Sequence, residues 1–124
     1  KLNPDDPYVL NYLAYSWLER NYNLNIAVEM LLKAHNQKKN DPYITDSLGW
    51  AYFLIGDYEK AEEYLQAAIE ISPDDPVIMD HYGDTLWYLG RKLQANYFWK
   101  NSLSVDKDND LDRNKIKSKL INGL

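Results

Sequence analysis

Apolar residues recur at helical spacing along most of the chain. Two stretches share apolar spacings of four, four and three residues: Ile44, Leu48, Tyr52 and Ile55, and then Ile78, Tyr82, Leu86 and Leu89. This spacing places side chains on one face of an α-helix. No segment alternates polar and apolar residues with a period of two, so strands are not predicted. The pattern predicts an all-α chain.

Sequence signals mark where the predicted first helix of each pair begins and ends. Three Asp-Pro pairs precede these helices: Asp6-Pro7, Asp41-Pro42 and Asp75-Pro76. The aspartate caps free backbone N–H groups, and proline lacks the N–H that the first turn leaves unpaired. Fourteen residues after each proline stands a residue that tolerates the left-handed conformation of a helix end: Asn21, Gly56 and Gly90. The chain is therefore predicted to be a series of helical hairpins.

The hairpins repeat with a period of 34 residues. This shift superimposes five pairs of similar residues: Pro42 and Pro76, Gly49 and Gly83, Gly56 and Gly90, Ala61 and Ala95, and Ala68 and Ser102. An earlier copy has Ala27 and Ala34 at the same offset, but its first helix is offset by 35, which places one inserted residue in the turn 21–25. The segment 2–7 matches 71–76. We therefore expect the chain to begin inside a still earlier unit.

A 34-residue helical hairpin with this placing of small, aromatic and proline residues resembles the tetratricopeptide repeat family. The middle unit carries the resemblance at Leu48-Gly49, Tyr52, Gly56-Asp57-Tyr58, Ala61, Leu65, Ala68 and Pro73. The next unit carries it at Tyr82-Gly83, Leu86, Gly90, Ala95, Trp99 and Ser102, with Lys107 where the proline belongs. The first unit is the most divergent and matches at Leu13-Ala14, Trp17, Ala27, Leu31, Ala34 and Lys39. The resemblance covers about residues 2–107 and is greatest to bacterial arrays.

The resemblance implies a right-handed superhelical array of antiparallel helix pairs, an α-solenoid, forming a single domain over residues 1–124. The expected parts are the end of a preceding repeat at 1–6, three repeats at about 7–41, 42–75 and 76–108, and a C-terminal capping helix at about 109–122. In the capping helix Ile116, Leu120 and Leu124 form an apolar line, and Lys115, Lys117 and Lys119 lie off it. Such a helix would cover the apolar edge of the last repeat.

In tetratricopeptide arrays the first helices line a concave groove, which the resemblance implies is where a partner binds. Removing the core stripe from each first helix leaves a second stripe, and from it we predict these partner-binding residues: Tyr8, Asn11, Tyr12, Tyr15, Asp46, Trp50, Phe53, Asp80, His81, Asp84, Trp87 and Tyr88. Rings and acids together predict a partner segment with apolar or aromatic anchors and at least one Lys or Arg.

Two alternatives at the groove stay open. Phe53 and Trp87 occupy positions where an aromatic ring serves packing as well as binding, whereas Tyr15 and Trp50 lie where packing asks for no bulky residue. We expect substitution of Trp50 and Asp84 together to abolish partner capture without changing helicity or melting. The stripe has no Lys or Arg, and family members that clamp a terminal carboxylate use basic and Asn residues there. Only Asn11 could serve, so a carboxylate clamp is disfavoured.

Composition removes several classes of function. The net charge is −5 and the pI is about 4.9, which disfavours nucleic acid as the principal partner. The chain has no cysteine, so disulfides, thiolate metal sites and cysteine nucleophiles are absent. No apolar run approaches the length of a membrane span, so membrane insertion is not expected. The compartment is left open, whether bacterial cytoplasm or periplasm.

Two acidic clusters invite a metal assignment. Asp106, Asp108, Asp110 and Asp112 alternate as in a calcium loop, but Leu111 and Lys117 stand where the turn glycine and the bidentate glutamate belong. A polar link that caps the last helix is the preferred interpretation. His81 is flanked by Asp80 and Asp84, but no further ligand is evident, so a hydrogen-bonding groove histidine is favoured over a metal ligand. We expect no metal and no cofactor.

No nucleophile, base and orienting acid can be assembled from the sequence, so we predict that the chain is not an enzyme. The main hypothesis is a protein–protein interaction scaffold that binds a protein or peptide segment. The alternative is a structural or self-associating array segment that positions neighbouring domains of a longer protein through its repeat ends. A third hypothesis is the regulatory array of an enzyme encoded in the same full-length gene.

Overall fold

The computed structural model describes residues 5–124, and over this range it consists of α-helices without strands. The seven helices are α1 (Pro7–Glu19), α2 (Leu24–Gln37), α3 (Pro42–Leu54), α4 (Tyr58–Ile71), α5 (Pro76–Tyr88), α6 (Lys92–Val105) and α7 (Arg113–Asn122). Each first helix packs on the second helix of its own pair, and α2 and α4 pack in turn on α3 and α5. The predicted all-α solenoid is confirmed. Of the expected preceding repeat, residues 1–4 lie outside the described residues.

The helices begin and end at the signals seen in the sequence. The Asp41 carboxylate accepts hydrogen bonds from the backbone N–H groups of Tyr43 at 2.9 Å and Ile44 at 3.1 Å. Asp6 and Asp75 cap their helices in the same way. Gly56 closes α3 with a φ of 89°, a left-handed conformation that costs glycine little. Local sequence therefore specifies the starts of α1, α3 and α5 and the end of α3.

Small residues let the two helices of a pair approach closely. Ala61 and Leu65 of α4 are fully buried against α3, and a Cβ placed on Gly49 would lie 2.7 Å from the Leu65 side chain. In the next pair a Cβ on Gly83 would lie 2.5 Å from the Trp99 ring. Both distances are shorter than a van der Waals contact, so these positions require glycine. The core is thus continuous from one pair to the next.

The capping helix α7 packs on α6 and buries Ile116. It begins at Arg113 rather than near residue 109, because the preceding link is held as a turn. The fully buried side chain of Asp106 accepts hydrogen bonds from the backbone N–H groups of Asp110 at 2.9 Å and Leu111 at 3.4 Å. Asp112 then caps the helix through the N–H of Lys115. The acidic link is therefore a structural turn and helix cap, as preferred from the sequence.

Lys119 differs from the sequence expectation. It was expected on the polar face of the capping helix, yet only 5% of its surface is exposed. Its ammonium group reaches back to α5, where it meets two carboxylates. Burial of a lysine is tolerated when its charge is paired in this way. Among residues 5–124, no helix has the length and apolar character needed to cross a membrane.

Candidate functional site

A cavity of about 350 Å³ opens where α1, α3 and α5 meet the link before α7. Its lining residues are Asn11, Tyr15, Tyr43, Asp46, Ser47, Asp75, Val77 and Asp110. We call this space the first-helix cavity. Three of the predicted partner-binding residues line it, namely Asn11, Tyr15 and Asp46. Three acids and two tyrosines give it a negative and aromatic lining.

The α1 side of the first-helix cavity offers an unused hydrogen-bonding group. Within the described part of the chain, Asn11 Oδ1 is buried and has no hydrogen-bond partner. Beside it Tyr15 is half-buried, and burial together with the negative charges of Asp46 and Glu19 raises the pKa of its phenol. The phenol therefore stays neutral and can donate a hydrogen bond at physiological pH. This side of the cavity can pair with polar atoms of a ligand.

Asp46 and His81 form a buried ion pair between α3 and α5. His81 Nδ1 lies 2.9 Å from Asp46 Oδ1, and less than a tenth of either side chain is exposed. Burial alone would lower the pKa of His81, but the charge and hydrogen bond of Asp46, with smaller contributions from Asp80 and Asp84, raise it above its ordinary value. The imidazole also stacks on Trp50, with ring centroids 4.0 Å apart. The hydrogen bond expected of His81 is present, but its ring is buried and is not among the residues that line the first-helix cavity.

Asp80 and Asp84 are paired with the capping helix. Lys119 Nζ lies 2.8 Å from an oxygen of each carboxylate, and Trp99 Nε1 donates to Asp84 at 2.9 Å. Burial and the neighbouring charge of Asp80 raise the pKa of Asp84, while Lys119 and Trp99 oppose that rise. The negative charge predicted for this end of the groove is therefore offset by a lysine from outside the first helices.

This arrangement changes one expectation from the sequence. Replacing Asp84 would leave Lys119 and the Trp99 indole N–H buried with fewer partners, and removing one member of a buried pair is costly. These contacts argue against the expectation that Asp84 can be replaced without changing the melting temperature, and we expect replacement of Asp84 to lower it. Trp50 also contributes contacts, through its stacking on His81 and on Phe53.

Aromatic residues from three helices cluster toward the C-terminal ends of α3 and α5. Trp50 stacks on Phe53 at 4.5 Å, Phe53 meets the edge of Tyr88 at 5.5 Å, and Tyr58 stacks on Tyr88 at 4.9 Å. We call these four residues the aromatic cluster. Tyr88 remains 52% exposed, so the cluster presents ring surface to solvent. Tyr58, the first residue of α4, was not among the predicted site residues, although it directly follows the Gly56-Asp57 turn.

The remaining predicted residues lie elsewhere. Tyr8 and Tyr12 are exposed on α1 and do not line the first-helix cavity. Trp87 packs at 5.6 Å from Trp99, and the Lys92 ammonium lies 4.7 Å above its ring. A Cβ on Gly123 would overlap the Trp87 ring, so the end of the capping helix also covers Trp87.

Asp75 and Asp110 line the first-helix cavity although they were not among the predicted partner-binding residues. Asp75 was recognised only as a helix cap, a role it fills by accepting from the N–H groups of Val77 and Ile78. Asp110 was compared only with a calcium loop. It reaches the cavity because the link before α7 turns back over the starts of α3 and α5. The sequence predicted a polar link and a helix cap here, but not the path of the link over α3 and α5.

Known proteins share both the repeat and the fold. The profile of the tetratricopeptide repeat family matches residues 47–75. A TPR repeat-containing protein of Pseudomonas aeruginosa is 38% identical over 81 residues, which cover 65% of this chain and 14% of that protein. The chain thus corresponds to a small part of that relative's length.

Two solved structures have the same fold at low sequence identity. One is the type III secretion translocator chaperone SycD of Yersinia enterocolitica, with a TM-score of 0.82 at 14% identity, covering 98% of this chain and 85% of SycD. The other is the first TPR of Spaghetti (RPAP3) bound to the HSP90 peptide SRMEEVD, with a TM-score of 0.76 at 15% identity, covering 97% of both chains. With the 34-residue period and the helix pairs described above, the profile match and the Pseudomonas relative support a tetratricopeptide repeat protein, and the two structures show that the fold is the same.

Proposed function

We propose that the chain is a non-catalytic protein–protein interaction scaffold that binds an extended segment of another protein along α1, α3 and α5. The first-helix cavity carries this proposal, because it is an open, negatively charged and aromatic space on the face formed by the first helices. The similar Spaghetti structure was solved with a peptide bound, which supports peptide binding by this fold. Concave sites with a few placed polar groups are typical ligand sites.

The lining of the cavity indicates the chemistry of the partner. Asp46, Asp75 and Asp110 contribute negative charge, and among the described residues no Lys or Arg lines the cavity. A Lys or Arg of the partner would therefore be attracted to this end of the groove. Asp80 and Asp84 are not available in the same way, because Lys119 already occupies them.

The aromatic cluster supplies the second part of the proposed site. Rigid rings bury a large area at small entropic cost and dominate many interfaces. Tyr88 and its stacked neighbour Tyr58 present such a surface. We assign to this cluster the apolar or aromatic anchor of the partner, and to the first-helix cavity its basic residue.

Peptide arrays test the proposed function. The immobilised chain is probed with randomised nonapeptides, and we expect the captured sequences to be enriched in one Lys or Arg and one aromatic residue. Tyr15→Ala and Tyr88→Ala should each weaken binding about tenfold or more, as loss of an interface anchor does. Tyr97→Ala is the matched control, because Tyr97 is 63% exposed on α6 and lies outside both parts of the site. Equal loss in all three variants, or no enrichment, would contradict the proposal.

A second candidate function rests on the uncovered face of α1. Tyr12 is 79% exposed and Leu13 41% exposed, whereas Ser47 and Leu48, 35 residues later, are 4% and 0% exposed. In α3 that face is covered by α2. The alternative is therefore a structural array segment that associates with a second copy through α1. Sedimentation equilibrium should then show concentration-dependent association that Leu13→Glu abolishes, and a monomer at every concentration would exclude it.

A further inference from the structure

The three carboxylates of the first-helix cavity differ in the groups with which they already interact. Asp75 uses Oδ1 to cap α5 through the N–H groups of Val77 and Ile78. Asp110 is exposed, so water screens its charge. Asp46 is only 6% exposed and is balanced by one group, the imidazole of His81. Its interaction with a cation is therefore the strongest of the three, because the local dielectric is lowest.

Among residues 5–124, three carboxylates and one ammonium group lie around His81. Asp46 faces it from α3, and Asp80 and Asp84 lie near it on α5 itself. Lys119 of α7 is bound to both Asp80 and Asp84 at 2.8 Å. On the α1 side Tyr15 senses the charge of Asp46. Lys119 offsets one of the two charges of Asp80 and Asp84, and Asp46 is the carboxylate that is hydrogen-bonded to the ring, so Asp46 is the main partner of the imidazolium.

We propose that Asp46 is the carboxylate that receives the Lys or Arg of the partner, and that His81 is its resident counter-ion, which loses its proton when the partner binds. This inference rests on the proposed function, and it assigns the basic residue of the partner to the Asp46 carboxylate. Trp50 holds the imidazole in place by stacking, so His81 can change its charge without leaving its position.

The proton release follows from electrostatics. A partner cation beside Asp46 competes with the imidazolium for the same negative charge, so it lowers the pKa of His81 in the complex. Affinity for a cationic partner then rises with pH between the His81 pKa of the complex and that of the free protein, and is constant outside this range. The gain is about tenfold for each unit by which the partner lowers that pKa.

The Asp46–His81 pair lies where α3 meets α5, and the corresponding positions in the other first helices hold different residues. The residue 34 positions before His81 is Ser47, and in the first helix Tyr12 corresponds to it. The other histidine, His35, lies on α2, where its Nδ1 is 3.3 Å from Thr45 Oγ1 and its ring meets Tyr64. Burial and the charge of Lys39 lower the pKa of His35. His35 does not line the first-helix cavity, so it serves as the control histidine for the proton release.

Calorimetry with two defined probes tests the inference. The probes are blocked nonapeptides, Gly-Phe-Gly-Gly-Lys-Gly-Gly-Phe-Gly and its counterpart with norleucine in place of lysine, titrated into the intact chain between pH 5.5 and 8.5. Measurement in two buffers of different ionisation enthalpy counts the protons released. The lysine peptide should release up to one proton and bind more tightly as pH rises, and the norleucine peptide should do neither.

Variants separate the roles of the two residues. Asp46→Asn should reduce the affinity for the lysine peptide to that for the norleucine peptide. His81→Gln should remove the proton release and the pH dependence. His35→Gln should leave both unchanged. Circular dichroism of each variant verifies folding, and the proton count on the unmodified chain tests the inference even where a variant unfolds.

The outcomes distinguish this inference from the proposed function. Binding of the lysine peptide with equal affinity across the pH range and no proton release would overturn the assignment to Asp46 and His81, while leaving a peptide-binding scaffold in place. Failure of both peptides to bind at any pH would overturn the assignment together with the proposed function.

Discussion

The ammonium group of Lys119 lies 2.8 Å from Asp84 Oδ1, joining the last helix to the first helix of the preceding pair. These residues are 35 positions apart and both are buried. Asp80 accepts a second hydrogen bond from the same ammonium group, and Trp99 donates a third hydrogen bond into the cluster. The charged ammonium group of Lys119, from the capping helix, is thus buried against the last repeat.

Breaking this pair should destabilise the chain. Asp84→Asn and Lys119→Met each leave a buried group without its full complement of partners, so we expect each to lower the free energy of unfolding by about 3 kcal/mol. Urea denaturation followed by circular dichroism measures the change. The double variant should lose less than the sum of the two single losses. Lys117→Met is the control on the exposed face of α7, and equal effects of Lys117 and Lys119 would contradict the pairing.

The ion pair of His81 predicts a pH-dependent stability. Burial disfavours the charged imidazole, but the attraction of Asp46 outweighs it and raises the folded-state pKa above 6.5. A raised histidine pKa contributes stability that is fully present below the unfolded-state pKa and is lost as pH rises through the folded-state pKa. The difference in unfolding free energy between the wild type and His81→Gln should therefore shrink from pH 5.5 to pH 9. Urea titrations at several pH values measure this difference, and a constant or growing difference would refute the ion pair.

Gly83 should resist substitution for a steric reason. The Cβ of Gly83→Ala would overlap the Trp99 ring at 2.5 Å, so we expect a loss of about 1 to 3 kcal/mol from overpacking. Thermal melting reports the loss, and the double variant Gly83→Ala with Trp99→Leu should lose less than the sum of the two single losses, because the smaller side chain removes the overlap. Gly90→Ala serves for comparison, because that site has open space and its cost comes from a φ of 83° alone. An unchanged melting temperature for Gly83→Ala would show that α5 and α6 are not in close contact.

Asp106 should control the order of the link before α7. Asp106→Ala removes the acceptor of the Asp110 and Leu111 N–H groups, so these amides should exchange with deuterium at least about tenfold faster. Hydrogen exchange with mass spectrometry resolves this segment. Asp108→Ala is the control, since Asp108 is exposed in the same link. Equal exchange in both variants would mean that Asp106 does not hold the turn.

The helices and their order follow from local sequence. Asp41, Pro42 and Gly56 act on the backbone of their own helix, and the spacing of apolar residues reports a face that any neighbouring helix can cover. Asn11, Tyr15 and Asp46 were found for the same reason, because each lies on the stripe of a first helix that remains when the core stripe is removed. Signals that operate within one turn or one hairpin can be recognised without knowing the neighbours.

The pairing of charges was decided only by the tertiary structure. Lys119 with Asp84, Asp46 with His81, and Asp110 at the first-helix cavity each join residues from different helices or links. Their distances depend on how one helix pair is stacked on the next and on the path of the link held by Asp106. Sequence by itself determined a negatively charged, aromatic stripe on the first helices. Tertiary packing decided which of its acids are already paired with a positively charged side chain, because Coulomb interactions depend on distance and burial rather than on position along the chain.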